Sequence, residues 1–297
     1  MVTPDTPLPP WLAAEYPFTP RQHRTASGAR LSYLDEGPRG DEAVLMVHGN
    51  PTWSYYYRHL VRALSPSIRC IVPDHVGMGL SDKPQDHPYT LQSRIDDLSS
   101  LVASLGLKKV HLIVHDWGGA IGLGWAGANA GLVGCITILN TGAFRSTRIP
   151  ARISLCKAPL YGPFIVRAFN AFAWPATWMA VNRRKLSSVE RRAYLFPHQD
   201  WHDRVAVSGF VRDIPLSEAH VSYAALLSVE KGLANLKDKQ IQLLWGGRDF
   251  CFNRHFRDRF LEIFPHAVVH DFPDAGHYVI EDERVAAEEL VRSFLGL

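Results

Sequence analysis

The run Val110-His111-Leu112-Ile113-Val114-His115-Asp116-Trp117-Gly118-Gly119-Ala120 sets the tightest limit on what this chain can fold into. A β-branched, apolar strand breaks at Asp116 into a helix of small residues. A strand that turns sharply into a helix carries the turn residue's side chain out over the end of its sheet. Free N–H groups and the positive end of the helix dipole wait there for negative charge. The nucleophile elbow has this geometry, with glycine two positions to either side of the nucleophile. Here the later glycine is Gly118, the earlier position is Val114, and the nucleophile position holds a carboxylate. Two readings stay open at this point. Asp116 is an acidic N-cap for a core helix, or it attacks carbon to form a covalent ester.

The strands around this run alternate with helices. Arg30–Asp35 reads as a strand, Ala43–His48 as a buried strand, 54–64 as a helix, Arg69–Asp74 as a second buried strand and 90–105 as an amphipathic helix. Continuous apolar strands mark a parallel sheet covered on both faces. Cys135–Asn140 is the next strand after the elbow helix, and then the rhythm stops. Aromatic helical pieces, broken by Pro159, Gly162, Pro163 and Pro175, fill the stretch to about 235. Strands return at 240–247 and 267–272, with helices at about 253–263 and at the end. The fold class is therefore α/β, a doubly wound, mostly parallel sheet with an inserted helical cap. The core takes residues 1–142 and 236–297, the cap 143–235, and residues 1–20, with six prolines, form an irregular arm.

A chain of 297 residues with 46% hydrophobic residues supports such a domain. A net charge of +3 without a Lys/Arg run argues against a nucleic-acid partner. Cys70, Cys135, Cys156 and Cys251 lack metal-like spacing and read as reduced thiols. The start Met1-Val2-Thr3-Pro4-Asp5 lacks a signal-peptide layout, and no apolar run reaches spanning length. The expectation is a soluble, cytoplasmic protein without a transmembrane segment.

A nucleophile needs a histidine and an acid, which in this topology follow it in the order nucleophile, acid, histidine, at strand ends. Asp249 follows the strand at 240–247 and His277 the strand at 267–272, each in a glycine-flanked loop. Taken alone, Asp249 is equally a turn former and His277 one of 14 histidines. Order and placement together join Asp116, Asp249 and His277 as a candidate triad. The Asn50 amide and the Trp117 indole N–H are candidate donors to a weakly basic leaving anion, halide or carboxylate. Backbone N–H groups of Asn50 and Trp117 form a candidate oxyanion hole. His48 and His115 read as strand-end hydrogen bonders.

His48-Gly49-Asn50-Pro51-Thr52-Trp53-Ser54, Asp74-His75-Val76-Gly77-Met78-Gly79 and His115-Asp116-Trp117-Gly118 resemble the haloalkane dehalogenase branch of the α/β-hydrolase superfamily. The resemblance runs from Tyr16 to the C-terminus and implies an aspartate nucleophile with no cofactor and no metal. Many dehalogenases carry a Glu acid after the strand that here ends at Asn140; this chain has Asn140-Thr141-Gly142, so the acid is assigned to Asp249. Glu15–Phe18, Ser32–Pro38, Phe144-Arg145-Ser146, Ile149-Pro150-Ala151-Arg152 and Trp245–Phe252 are similar to the β-lactone decarboxylases of bacterial long-chain olefin biosynthesis. That resemblance implies a small hydrophobic substrate, a cis-3,4-dialkyl β-lactone, converted to a cis-alkene and CO2. It also implies an assembly with the β-lactone synthetase and reductase of the same pathway. The rivals are a haloalkane dehalogenase, an epoxide hydrolase using two tyrosines from among Tyr161, Tyr194 and Tyr223, and a non-catalytic scaffold.

Overall fold

The computed structural model describes residues 2–297. Eight strands form one sheet in the order β1-β2-β4-β3-β5-β6-β7-β8. They are β1 (Arg21–Arg24), β2 (Arg30–Glu36), β3 (Glu42–Val47), β4 (Arg69–Pro73), β5 (Lys109–Asp116), β6 (Val133–Thr141), β7 (Ile241–Gly246) and β8 (Val268–Phe272). From β4 to β8 the neighbours run parallel, while β1 and β2 pair antiparallel at one edge. Each central strand sends alternate residues to opposite faces. Leu45, Leu112, Ile138 and Leu243 enter one core cluster, and Val44, Ile113, Leu139 and Leu244 enter the other. That double burial is why these strands read as unbroken apolar runs.

Helices α2 (Arg58–Leu64), α3 (Leu91–Ser104), α4 (Trp117–Ala128), α11 (Arg254–Ile263) and α13 (Arg284–Leu295) connect and cover the sheet. Two local readings change. Residues 54–64 begin with a 3-10 turn, Ser54–Tyr57, before α2. The irregular arm contains a short helix, α1 (Pro10–Glu15), and buries Val2, Leu12 and Tyr16. No helix among the described residues is long and apolar enough to cross a membrane.

Between β6 and β7 lie α5 (Ala151–Lys157), α6 (Gly162–Phe169), α7 (Ala173–Met179), α8 (Ser188–Leu195), α9 (Val205–Arg212) and α10 (Tyr223–Gly232). None exceeds ten residues; proline follows α5, α8 and α9 closely, α10 ends on Gly232, and a left-handed Asn170 ends α6. The short α12 (Val279–Asp282) stitches this cap to the core. Glu281 is fully buried and accepts from Arg58, Arg184 and Tyr194, the Arg58 contact at 2.5 Å. Asp282 accepts from the backbone N–H groups of Asn182, Arg183, Arg184 and Gly276. The loop that carries His277 is thereby held between core and cap.

Candidate active site

Asp116 ends β5 at φ 51°, ψ −130°, where a non-glycine residue stays only when its surroundings hold it. Thr141 Oγ1 donates to the Asp116 carbonyl, and the β5–β6 register shifts between His115 and Asp116. The carboxylate makes no side-chain cap bond to α4. Its Oδ1 instead accepts the Asn50 N–H at 2.6 Å, and the Trp117 N–H also stabilises its charge. The two N–H groups read as an oxyanion hole thus grip the carboxylate of Asp116 itself. Gly49 lets the loop come this close: a Cβ there would lie 2.0 Å from Asp116 Oδ1. The missing elbow glycine is also accounted for. Val114 takes up the space, and α4 supplies Gly122 opposite it, where a Cβ would stand 2.7 Å from Val114 Cγ1.

The structure brings Asp116, Asp249 and His277 together, all buried. His277 Nδ1 lies 2.8 Å from Asp249 Oδ2, and Nε2 lies 3.5 Å from Asp116 Oδ2. The Cys251 N–H donates to Asp249 Oδ1 at 2.6 Å, and His115 Nε2 donates to the His277 carbonyl at 2.9 Å. Burial alone would lower the pKa of His277, but the carboxylates of Asp249 and Asp116 push it up to about 10. Burial would likewise raise Asp116, yet His277 holds it below its ordinary value. At neutral pH an imidazolium therefore sits between two carboxylates. Converting Asp116 to an ester removes one of those anions, and the His277 pKa then falls. His115, driven to about 3 mainly by burial, stays neutral.

Above the triad lies a cavity of about 300 Å³. Asn50, Asp116, Trp117 and His277 form its polar end. Trp117 packs edge-on against Phe210, and its indole N–H has no protein acceptor among the described residues. One Asn50 amide hydrogen is committed to the Val207 carbonyl on α9 at 3.2 Å, leaving the other for a ligand. Asn50 Oδ1 is buried without a partner. The rest of the wall is mainly apolar, with Phe144, Ile149, Ile153, Phe172, Phe250 and Phe252 prominent.

A family model described as the alpha/beta hydrolase fold matches residues 42–284. The chain belongs to that family. It is 44% identical to the cis-3-alkyl-4-alkyloxetan-2-one decarboxylase of Xanthomonas campestris, covering 94% of this chain and 97% of the relative. Identity to the same-named enzyme of Shewanella oneidensis is 42%, over 91% and 86%. Haloalkane dehalogenase 2 of Mycobacterium bovis is 27% identical, over 93% and 96%. Among solved structures, the haloalkane dehalogenase DbeA from Bradyrhizobium elkani superimposes with a TM-score of 0.85 at 26% identity, over 93% of this chain and 97% of that one.

Within this family frame, several placements sharpen the site. Tyr161 is exposed, Tyr194 bonds Glu281 and Tyr223 bonds Glu218 at the surface; none lines the cavity. The tyrosine pair required of an epoxide hydrolase is therefore missing from these three. Asn140 bridges to the Gly246 backbone of β7, as both donor and acceptor, so the strand end that lacks an acid is structurally employed. His59, Glu190 and Glu281 lie close enough to hold a metal, but Arg58 and Arg184 already occupy both carboxylates. That cluster is an ion-pair network. Thr141, Glu281 and Asp282 position the site and carry no local sequence signal, because their partners are distant in the chain or are backbone groups, and Cys251 contributes only a backbone N–H, which its side-chain identity does not reveal.

Proposed function

We propose that this protein decarboxylates cis-3,4-dialkyl β-lactones to cis-alkenes and CO2, with Asp116 as nucleophile. The observation that carries the reading is the identity gap: 44% and 42% to two decarboxylases, against 27% and 29% to dehalogenases at comparable coverage. The cavity supports it, because Phe144, Ser146, Ile149, Arg152, Phe250 and Phe252, from the stretches similar to the decarboxylases, line it.

Asp116 Oδ2, the oxygen not held by the Asn50 N–H, attacks the ring carbon bearing oxygen from behind. The new C–O bond forms as the ring C–O bond breaks, that carbon inverts, and a carboxylate is freed. Trp117 Nε1–H and the spare Asn50 amide hydrogen receive the carboxylate. Loss of CO2 sends the electron pair of the C–C bond into the new double bond, and the Asp116 carboxylate leaves with its own pair. One inversion followed by anti elimination places both alkyl groups on the same side. The sequence consumes no water, so His277 serves as the cation that stabilises Asp116 as a leaving carboxylate.

Purified protein given a cis-dialkyl β-lactone should yield alkene; halide release from haloalkanes at enzyme-like rates, with no alkene, overturns the reading in favour of a dehalogenase. A lactone labelled with oxygen-18 at the ring oxygen tests the route. The label should leave in CO2, whereas mass gain on the Asp116 peptide identifies attack at the carbonyl through a mixed anhydride. The same reading places the protein in long-chain olefin biosynthesis, assembled with the lactone synthetase and reductase of that pathway. Co-purification of the three from a native host checks it.

A further inference from the structure

The first half of the cap carries features that the chemistry at Asp116 does not use. Between Asp116 and Glu190 the chain contains no acidic residue, while it contains Arg145, Arg148, Arg152, Lys157, Arg167, Arg183, Arg184 and Lys185. Five of these cations, Lys185 among them, make no ion pair among the described residues. Arg152 rests on Met179 Sδ and the Phe250 ring, Lys157 on a backbone carbonyl, and Arg167 on Gln85 and the Trp201 carbonyl. Arg148 bonds only through its backbone N–H.

The same segment displays apolar side chains to solvent. Leu155, Leu160, Phe164, Phe169, Trp174 and Trp178 are 45–91% exposed, and every large exposed aromatic among the described residues lies in the cap. Trp174 and Trp178 are one helical turn apart on α7 with ring centroids 4.2 Å apart, and Phe164 meets Phe169 at 5.7 Å. The inner faces of these helices wall the cavity through Ile153 and Cys156 of α5 and Pro175, Ala176 and Met179 of α7. Two short helices thus face the substrate cavity on one side and display Leu155, Trp174 and Trp178 on the other.

We propose that this outer cap face docks on an anionic lipid surface. Uncompensated cations beside exposed Trp and Phe suit an interface of phosphate headgroups over acyl chains. Helices of seven or eight residues fall far short of the ~20 needed to span a bilayer, so the contact is peripheral. A water-soluble protein partner would leave the acid-free segment without its counter-charge unless it were itself strongly acidic. That the bilayer also supplies the substrate rests on the decarboxylase reading, since a dialkyl lactone and its alkene product both partition into lipid.

Full-length protein is sedimented with phosphatidylcholine vesicles and with vesicles carrying about one-third phosphatidylglycerol. Binding to the anionic vesicles should exceed binding to the neutral ones by about fivefold or more and collapse in about 0.5 M salt. Trp174→Ser with Trp178→Ser should lower it about tenfold while leaving turnover of a short, water-soluble lactone unchanged. Equal or absent binding to the two vesicles overturns the proposal. So does a wild-type oligomer in sedimentation velocity that the double variant converts to monomer, which would assign the face to a second copy. Vesicle binding is read without turnover, so a protein that binds but makes no alkene refutes only the chemistry.

Discussion

His277 lies between the carboxylates of Asp249 and Asp116, 2.8 and 3.5 Å away. Arg148, Arg152, Lys157 and Arg167, in the cap, make no ion pair among the described residues. The contrast teaches where specificity is set. With Asp116 proposed as nucleophile, the compensated, buried triad would attack carbon whichever anion leaves, halide and carboxylate alike. Discrimination falls to the cavity wall, which is built largely from the cap.

The strongest way to break this division is at Asp116. Asp116→Asn should lower turnover by about 10⁴-fold or more without loss of the folded state, read by single-turnover alkene assay and circular dichroism. Residual activity within tenfold of wild type would remove the nucleophile from the core. His277→Gln should cost about 10²–10⁴-fold and add a pH signature. The folded-state pKa of His277 is raised from 6.5 to about 10, so its stabilisation is whole below pH 6.5 and is lost as pH climbs toward 10. Asp116 is shifted down from 3.8, so its share is whole above that pH and is lost in stronger acid. The melting-temperature advantage over His277→Gln should therefore be flat from about pH 4 to 6.5 and shrink steadily toward pH 10. Trp117→Phe keeps the packing against Phe210 and deletes the free donor, which should lower kcat about 10²-fold. A loss confined to KM would place Trp117 in the wall instead. The cap end of the comparison is gentler. Ile153→Ala should raise KM for long-chain lactones about tenfold with kcat nearly unchanged, measured across a series of alkyl lengths.

The core was legible because its signals are local. A β-branched run giving way at Asp116 to small residues specifies the elbow, and Asp249 and His277 each end a strand that its own residues define. β1 escaped notice because Arg21-Gln22-His23-Arg24 is an edge strand with little buried surface, so no apolar alternation marks it. The cap helices were foreseen only as a class, since runs of seven to ten residues punctuated by Pro and Gly set no clear boundaries. The clamp on the His277 loop was invisible. Glu281 reaches Arg58 across more than two hundred residues, and no window of sequence holds both.

The pairing of Val114 with Gly122 has its own consequence. The strand-side glycine of the elbow is less a required residue than a required vacancy, and here the vacancy has moved eight residues along, onto the helix. Gly122→Ala alone should cost about 1–3 kcal/mol, and much less in a Val114→Ala background, where the extra methyl fills the space left behind. A search pattern that demands glycine before the nucleophile rejects this chain. One that lets either of two positions be small, provided both are not large, accepts it, and turns a motif of letters into a motif of shared volume.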